Sequence, residues 1–269
     1  MTSSGLKKDF NKFLEDKGLS AKEFFKCVVA DDLEVFNDLV SWSEEDYKIY
    51  NDILSRAKKI KPTKDNTTTK KAVGDALEEL VCFLFQKTYF FEVASNTRTK
   101  TNEIDQIIRL SKRGIQALES CNLSRDLLPI PSNLILGECK NYNHNIGVTW
   151  IGKFYSLLKN CDCNFGIIFS LKKATGNFDN WSDSYGLMRA LTLLEKYKYQ
   201  SDFFILEFGV DDFDRISPDV SFLDIIKAKM ESIRLGTDYN NLINSYKDSM
   251  FEEKHEFISE FNKIKDQLK

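Results

Sequence analysis

A carboxylate and a lysine stand two residues apart at the end of an apolar run, a pattern that could do chemistry. The apolar run 134–136 precedes Glu138, Cys139 and Lys140, and such a run predicts a buried strand. Residues two apart in a strand share a face, so Glu138 and Lys140 would lie side by side while Cys139 points into the core. The carboxylate suits a hard cation such as Mg²⁺, and the ammonium can orient a water or contact a phosphate oxygen.

One carboxylate is not enough to hold such a cation, so a second is expected upstream. Asp105 lies between isoleucines in the run 102–110, whose composition predicts a second short strand. Asp126 competes for the same role, but it lies in a segment flanked by Ser and Pro that is typical of a loop. Asp105 is the preferred candidate, which gives the set Asp105, Glu138 and Lys140.

In this order, the motifs resemble those of the PD-(D/E)xK nuclease superfamily, and within it the Mrr-like branch. The resemblance covers roughly residues 71–176. It consists of a helix that carries Gly74 and Glu78, the Glu-Ile-Asp run that ends at Asp105, and the Glu-Cys-Lys run 138–140. A helix from about Thr149 and a strand over 165–171 follow. The long gap between the two acidic strands departs from the pattern, because it requires an insertion over 111–133.

The resemblance implies an α/β fold with a three-layer, restriction-endonuclease-like core, in which helices flank a central mixed sheet. We expect this core over residues 71–210. A helical N-terminal module with a basic linker is expected over 1–70, and a helical C-terminal segment over 211–269. Ser43, followed by three acids, predicts a helix start, and Ser20 with Glu23 has the form of a capping box.

The resemblance also implies roles for individual residues. Asp105, Glu138 and the backbone carbonyl of Cys139 would bind Mg²⁺, with Mn²⁺ as a substitute, and Lys140 would orient the attacking water or offset charge. Glu78 would hold a second metal or its water. Glu79, one position round the helix, is the fallback for Glu78. The implied activity is metal-dependent hydrolysis of phosphodiester bonds, most simply by a DNA endonuclease of restriction or anti-phage defence type.

Basic residues around the expected site are candidates for phosphate contacts. They divide into two turn residues, one helical lysine and two lysines that end the basic linker 56–71: Arg98, Lys100, Lys153, Lys70 and Lys71. A plain turn or solvated linker is the alternative for these residues. The net charge of −3 argues that any nucleic-acid surface is a local patch rather than the whole protein.

A second hypothesis is a subunit with a nuclease fold that binds DNA and cleaves only when assembled with partner proteins. The apolar stripe over 239–268 has helical spacing. It predicts a helix that either packs on the core or forms a homodimer or partner interface. RNA is a weaker substrate candidate, since no stacking signature such as an RNP motif is present.

The remaining features set bounds rather than roles. Six cysteines occur without framework or zinc-ligand spacing, and no secretory signal or membrane-length apolar run is visible. The expected setting is therefore cytoplasmic, without membrane contact. His144 lies in a polar loop and lacks the companion motif of a histidine-dependent nuclease, so it is expected to be incidental.

Overall fold

The computed structural model describes residues 12–18, 20, 34–60, 69–98, 103–141, 144–177 and 180–245. Lys100, most of the basic linker, the Ser20 capping box beyond Ser20 itself and the predicted tail helix past residue 245 lie outside these residues. Within the described ranges, no helix has the length and apolar character needed to cross a membrane.

One five-stranded mixed sheet forms the centre of the fold, and its strands neighbour one another in chain order. The first three strands pair antiparallel, and the third, fourth and fifth pair parallel. This confirms the predicted mixed sheet and each predicted strand position. The strands are β1 (Phe91–Arg98), β2 (Glu103–Leu110), β3 (Leu134–Lys140), β4 (Phe165–Ser170) and β5 (Phe204–Phe208).

Helices cover both faces of the sheet, and strand alternation shows how. In β4, Ile167 and Phe169 belong to one buried cluster, whereas Ile168 between them belongs to the other. The two helical layers are compatible with a three-layer core. The helices named below are α1 (Glu44–Lys59), α2 (Lys70–Lys87), α3 (Lys112–Ser120), α4 (Val148–Asn160), α5 (Asp183–Tyr199), α6 (Val210–Arg215) and α7 (Phe222–Leu235). Residues 12–17, 34–40 and 239–245 are also helical.

The larger cluster joins α1, α2 and α7, and the smaller one joins α4 and α5. α1 begins at Ser43 in a capping box, as predicted. It docks on the main core through Tyr50, whose hydroxyl donates to the backbone carbonyl of Phe213 at 2.7 Å. Near the C-terminal end of the described chain, Tyr239 and Ile243 are buried in the same cluster.

The predicted basic linker is wrong at both of its described ends. Residues 56–59 form the last turn of α1, and Lys70 and Lys71 open α2, whose cap is Thr69. Basic side chains suit the final turn of a helix because they face its partial negative charge. Arg56 binds Glu79 at 2.9 Å. The basic residues 56–59 therefore lie on a helix rather than in a loop.

The insertion over 111–133 is folded against the core. It contains α3 and one short 3₁₀ turn, Arg125–Leu127, and the guanidinium of Arg125 donates to the carbonyl of Ile130 at 2.7 Å. Its start, after Leu110, is five residues from Asp105, or about 17 Å along an extended strand. The insertion therefore begins at the opposite end of β2 from the predicted site.

Candidate active site

The sheet opens between β2 and β3 where the predicted acidic residues lie. Pairing between these strands runs from Arg109 with Leu134 to Gln106 with Gly137. Beyond that last pair, β2 continues to pair with β1, and β3 continues to pair with β4. The same register would set Asp105 opposite Glu138. The sheet therefore forms a fork at this point. Its two prongs are the end of β2 that carries Asp105 and the end of β3 that carries Glu138 and Lys140.

The Asp105 carboxylate bridges the fork. Its Oδ2 accepts a hydrogen bond from the backbone N–H of Cys139 at 2.8 Å. This N–H lies beyond the last β2–β3 backbone pair, so a side chain supplies the acceptor that a regular ladder would have supplied from the backbone. The hydrogen bond fixes the orientation of Asp105 and leaves its other oxygen available to the site.

Lys140 brings the two predicted carboxylates together. Its Nζ is bonded to Oε1 of Glu138 and lies 3.6 Å from Oδ2 of Asp105. The three side chains are between 12% and 19% exposed. Two carboxylates thus share one ammonium in a largely but not fully buried position. When all three groups are ionised, the cluster has a net charge of −1.

Glu78 approaches the same strands from α2, on the side of the larger core. The Nε2 of buried Gln106 donates to the backbone carbonyl of Glu78 at 3.0 Å, which ties α2 to the base of the fork. Burial, followed by the carboxylates of Asp105, Glu78 and Glu138, raises the pKa of the Cys139 thiol well above its ordinary value. Cys139 packs against the larger core, as predicted.

A cavity of about 340 Å³ adjoins the charged prong of β3. Glu138 and Lys140 form one wall, and α4 supplies the other with Trp150 and Lys153. The ammonium groups of Lys140 and Lys153 lie 5.0 Å and 4.9 Å from the centroid of the Trp150 ring. Lys153 therefore lies where the sequence placed it, beside the site.

The other predicted residues divide by position. Lys71 is exposed in the first turn of α2, and the Asn141 amide, just past Lys140, donates to the carbonyl of Val73 in the same region at 2.9 Å. Arg98 is the last residue of β1, in register with Glu103. Lys71 and Arg98 thus lie on elements that border the fork. Their contacts with phosphate stay predictions.

Three alternatives lie elsewhere. Asp126 is exposed in the 3₁₀ turn of the insertion. The carboxylate of Glu79 pairs with Arg56 on the outer side of α2, so the fallback for Glu78 faces away from the fork. His144 is exposed in the loop after β3.

The donor set fits a hard cation. Asp105 and Glu138 offer carboxylate oxygens, which Mg²⁺ prefers, and the third predicted ligand is a backbone carbonyl. In the part of the chain that the structure describes, no three His, Cys, Asp or Glu side chains converge closely enough to hold a metal ion. Glu78 thus does not complete a three-carboxylate set with the other two, and its role stays a prediction.

Sequence reasoning missed two residues of this region. Trp150 fits the apolar stripe of α4 by its spacing, but it lines the cavity. Gln106 is fully buried at the base of the fork, and its Oε1 lacks a hydrogen-bond partner among the described residues. A polar residue inside the apolar β2 run was the available signal for Gln106, because a buried amide needs partners.

A second cluster of two carboxylates and one lysine lies between β5, α6 and α7. Lys229 binds Asp212 at 2.7 Å and Glu207 at 3.1 Å, and each of the three side chains is 2–3% exposed. Tyr239 donates to Asp212 at 2.8 Å, and Tyr185 donates to Glu207 at 3.4 Å. No local motif in the sequence marks these residues as a cluster.

Comparisons with known proteins give no match: no protein-family model, no curated protein and no solved structure matches this chain. Function must therefore be inferred from the fork and its chemistry.

Proposed function

We propose that this protein is a metal-dependent nuclease of the PD-(D/E)xK type, with a restriction-endonuclease-like core, and that it hydrolyses phosphodiester bonds of DNA. One observation carries the proposal. The sheet separates between β2 and β3 at the position of Asp105, Glu138 and Lys140, and all three side chains meet there. Residues 33 positions apart along the chain converge on two strands, in the order that the superfamily motif requires.

Asp105, Glu138 and the Cys139 carbonyl would hold Mg²⁺, or Mn²⁺ in its place. When bound, the ion would polarise the scissile phosphate and lower the pKa of the attacking water. The Cys139 N–H keeps the Asp105 carboxylate oriented toward the fork, which limits the reorganisation needed during the reaction.

Lys140 has a separate task. Its ammonium contacts both carboxylates and also lines the cavity. It can therefore exchange a carboxylate partner for a phosphate oxygen of the substrate. A fixed positive charge at that oxygen stabilises the charge that develops in the transition state. Lys153, whose ammonium lies 4.9 Å from the centroid of the Trp150 ring, adds a second positive charge for the backbone of the nucleic acid.

Cleavage of supercoiled plasmid and of circular single-stranded DNA in Mg²⁺ tests the proposal. We expect Glu138→Gln and Lys140→Ala each to lower the rate about 10²- to 10³-fold, the range for loss of one charge-stabilising group. Glu79→Gln is the matched control, because Glu79 is an exposed glutamate on the helix that carries Glu78. Its cleavage rate should equal that of the wild type.

Equal cleavage by all four proteins would reject the assignment. Wild-type protein that binds DNA in EDTA but does not cleave in Mg²⁺ or Mn²⁺ would favour the second hypothesis, a subunit that cleaves only within a larger assembly. Size-exclusion mass measurement with and without DNA would then separate a monomer from an assembling subunit.

A further inference from the structure

The cavity beside Lys140 has a composition that the roles proposed above do not explain. Its α4 wall presents residues at helical spacing: an aromatic ring at Trp150, an ammonium at Lys153, and an apolar side chain at Leu157. Ser156 and Asn160 add a hydroxyl and an amide farther along the helix. The volume of about 340 Å³ lies within the range of small-molecule binding sites, about 300–1,000 Å³.

These groups match the parts of a nucleotide. A flat aromatic ring binds a base by stacking, whatever its sequence. The ammonium groups of Lys140 and Lys153 lie over that ring, 5.0 Å and 4.9 Å from its centroid. A base that stacks on the ring would displace these long side chains, and their ammonium groups would then be close to the phosphate of the same nucleotide. The Asn160 amide offers a donor and an acceptor to base or sugar edges, and the Ser156 hydroxyl, which donates to the carbonyl of Gly152 at 3.1 Å, still offers an acceptor. One wall of the cavity is Glu138 itself, so the nucleotide would adjoin the reacting phosphate.

We propose that this cavity binds one unpaired nucleotide next to the scissile phosphate, with its base against Trp150 and its phosphate bound by the ammonium groups of Lys140 and Lys153, which the base displaces from the ring. The inference rests on the proposed nuclease function and names its substrate class, nucleic acid that is unpaired at the cleavage site. A base inside a duplex is stacked and paired, and it would have to leave the helix to enter a recess between a helix and a strand. Single strands, loops and flaps meet no such cost.

Binding measurements in EDTA test the subsite without requiring cleavage. The probes are a dye-labelled dT homopolymer and the same strand annealed to its dA complement, followed by fluorescence anisotropy. We expect the wild type to bind the single strand more tightly than the duplex. Trp150→Ala should weaken single-strand binding about 5- to 150-fold, which corresponds to the loss of one base–aromatic stack. Trp150→Phe keeps a ring and should recover part of that loss.

Tyr197→Ala is the matched control, because Tyr197 is a 73% exposed aromatic residue on α5 that does not line the cavity. Its affinity should equal that of the wild type. Lys153→Ala should reduce the slope of log Kd against log salt concentration by about 0.7, the value for one phosphate contact on a single strand. Thermal unfolding of each variant verifies that it is folded at the assay temperature.

Three results would overturn the subsite: no single-strand binding by the wild type, equal affinity for the duplex, or equal loss in Trp150→Ala and Tyr197→Ala. A different result separates this inference from the proposed function. If Trp150-dependent binding to the single strand holds while no nucleic acid is cleaved in Mg²⁺, the subsite stands and the nuclease proposal fails.

Discussion

Two clusters in this protein have the same charged groups, two carboxylates and one lysine, in different surroundings. Around Lys229 the groups are 2–3% exposed, and two tyrosine hydroxyls and the Gly209 N–H satisfy the carboxylate oxygens. Around Lys140 the groups are 12–19% exposed at the fork of the sheet and adjoin a cavity. Charge composition alone therefore does not identify a site; access does.

The excess negative charge is handled differently in the two clusters. In the sealed cluster, burial, together with the nearby Asp212 carboxylate, raises the pKa of Glu207 despite the attraction of Lys229. Burial alone would lower the pKa of Lys229, but Asp212 and Glu207 outweigh it and raise that pKa well above its ordinary value. The Glu207 carboxylate therefore takes up a proton more readily than an exposed glutamate does. At the open fork, a divalent cation can reach the same excess charge.

Removal of the lysine from each cluster should give the largest difference. Lys229→Met leaves two carboxylates buried without their partner and should lower the free energy of unfolding by about 3–5 kcal/mol. Lys140→Met breaks two ion pairs that are only partly shielded from water and should cost less, about 1.5–3 kcal/mol. Urea denaturation followed by circular dichroism measures both values. Equal losses would mean that Lys140 is as structural as Lys229, and would remove the contrast.

Divalent cations should distinguish the clusters next. Mg²⁺ or Mn²⁺ at a concentration of 100 Kd should raise the free energy of unfolding of the wild type by about 2.7 kcal/mol, because it binds only the folded protein. Asp105→Asn and Glu138→Gln should lose this increment. Glu207→Gln is the matched control from the sealed cluster and should keep the increment, whatever its baseline stability. An unchanged increment in Glu138→Gln would place the cation elsewhere.

A simple pair provides the third and smallest test, through its pH dependence. Asp46 has a single ammonium partner, and hydrogen bonds from Lys87 and then Ser43 lower its pKa to about 2, opposite to the shift of Glu207. A lowered folded-state pKa stabilises the protein above the unfolded value, near 4, and the stabilisation is lost as the pH falls toward 2. Asp46→Asn should cost about 0.5–1 kcal/mol at pH 7.

That cost should shrink as the pH falls below 4 and be smallest near pH 2, where about half of the wild-type carboxyl groups are protonated. Urea titrations of both proteins at several pH values between 2 and 7 give the comparison. If the difference in unfolding free energy between the two proteins is as large at pH 2 as at pH 7, the Asp46 side chain acts through its shape or its neutral hydrogen bonds rather than through its charge.

Local patterns predicted the open cluster but could not predict the sealed one. Glu138 and Lys140 end an apolar run, so alternation alone places them on one face of a strand. Glu207 sits inside the apolar run of β5, and Lys229 sits on a helix 22 residues later. Only the packing of that helix on the sheet brings them together. A lysine in an amphipathic helix usually faces solvent, so nothing local marks Lys229 as buried.

The structure differs from the sequence-based expectations at two further places, for similar reasons. Trp150 fits the apolar stripe of α4, and the stripe pattern does not tell which flank borders a cavity. The basic run that begins at Arg56 is typical of a linker, but its first residues continue the helix whose buried face contains Tyr50, Ile53 and Leu54. The positions of β3, β4 and β5 were predictable, because each contains a compact apolar run bounded by polar residues.

Gly137 forms the last β2–β3 pair before the fork, and it gives the prongs their spacing. A methyl group there would meet Cβ of Gln106 at 3.2 Å and Cδ1 of Ile108 at 3.3 Å, which is close enough to push the strands apart by a few tenths of an ångström. Mg²⁺ binds oxygen at about 2.0–2.1 Å and Ca²⁺ at about 2.3–2.6 Å. In the proposed site, the ionic radius that fits the fork would then depend on Gly137, a residue without a side chain whose Cα borders the opposite face of the sheet.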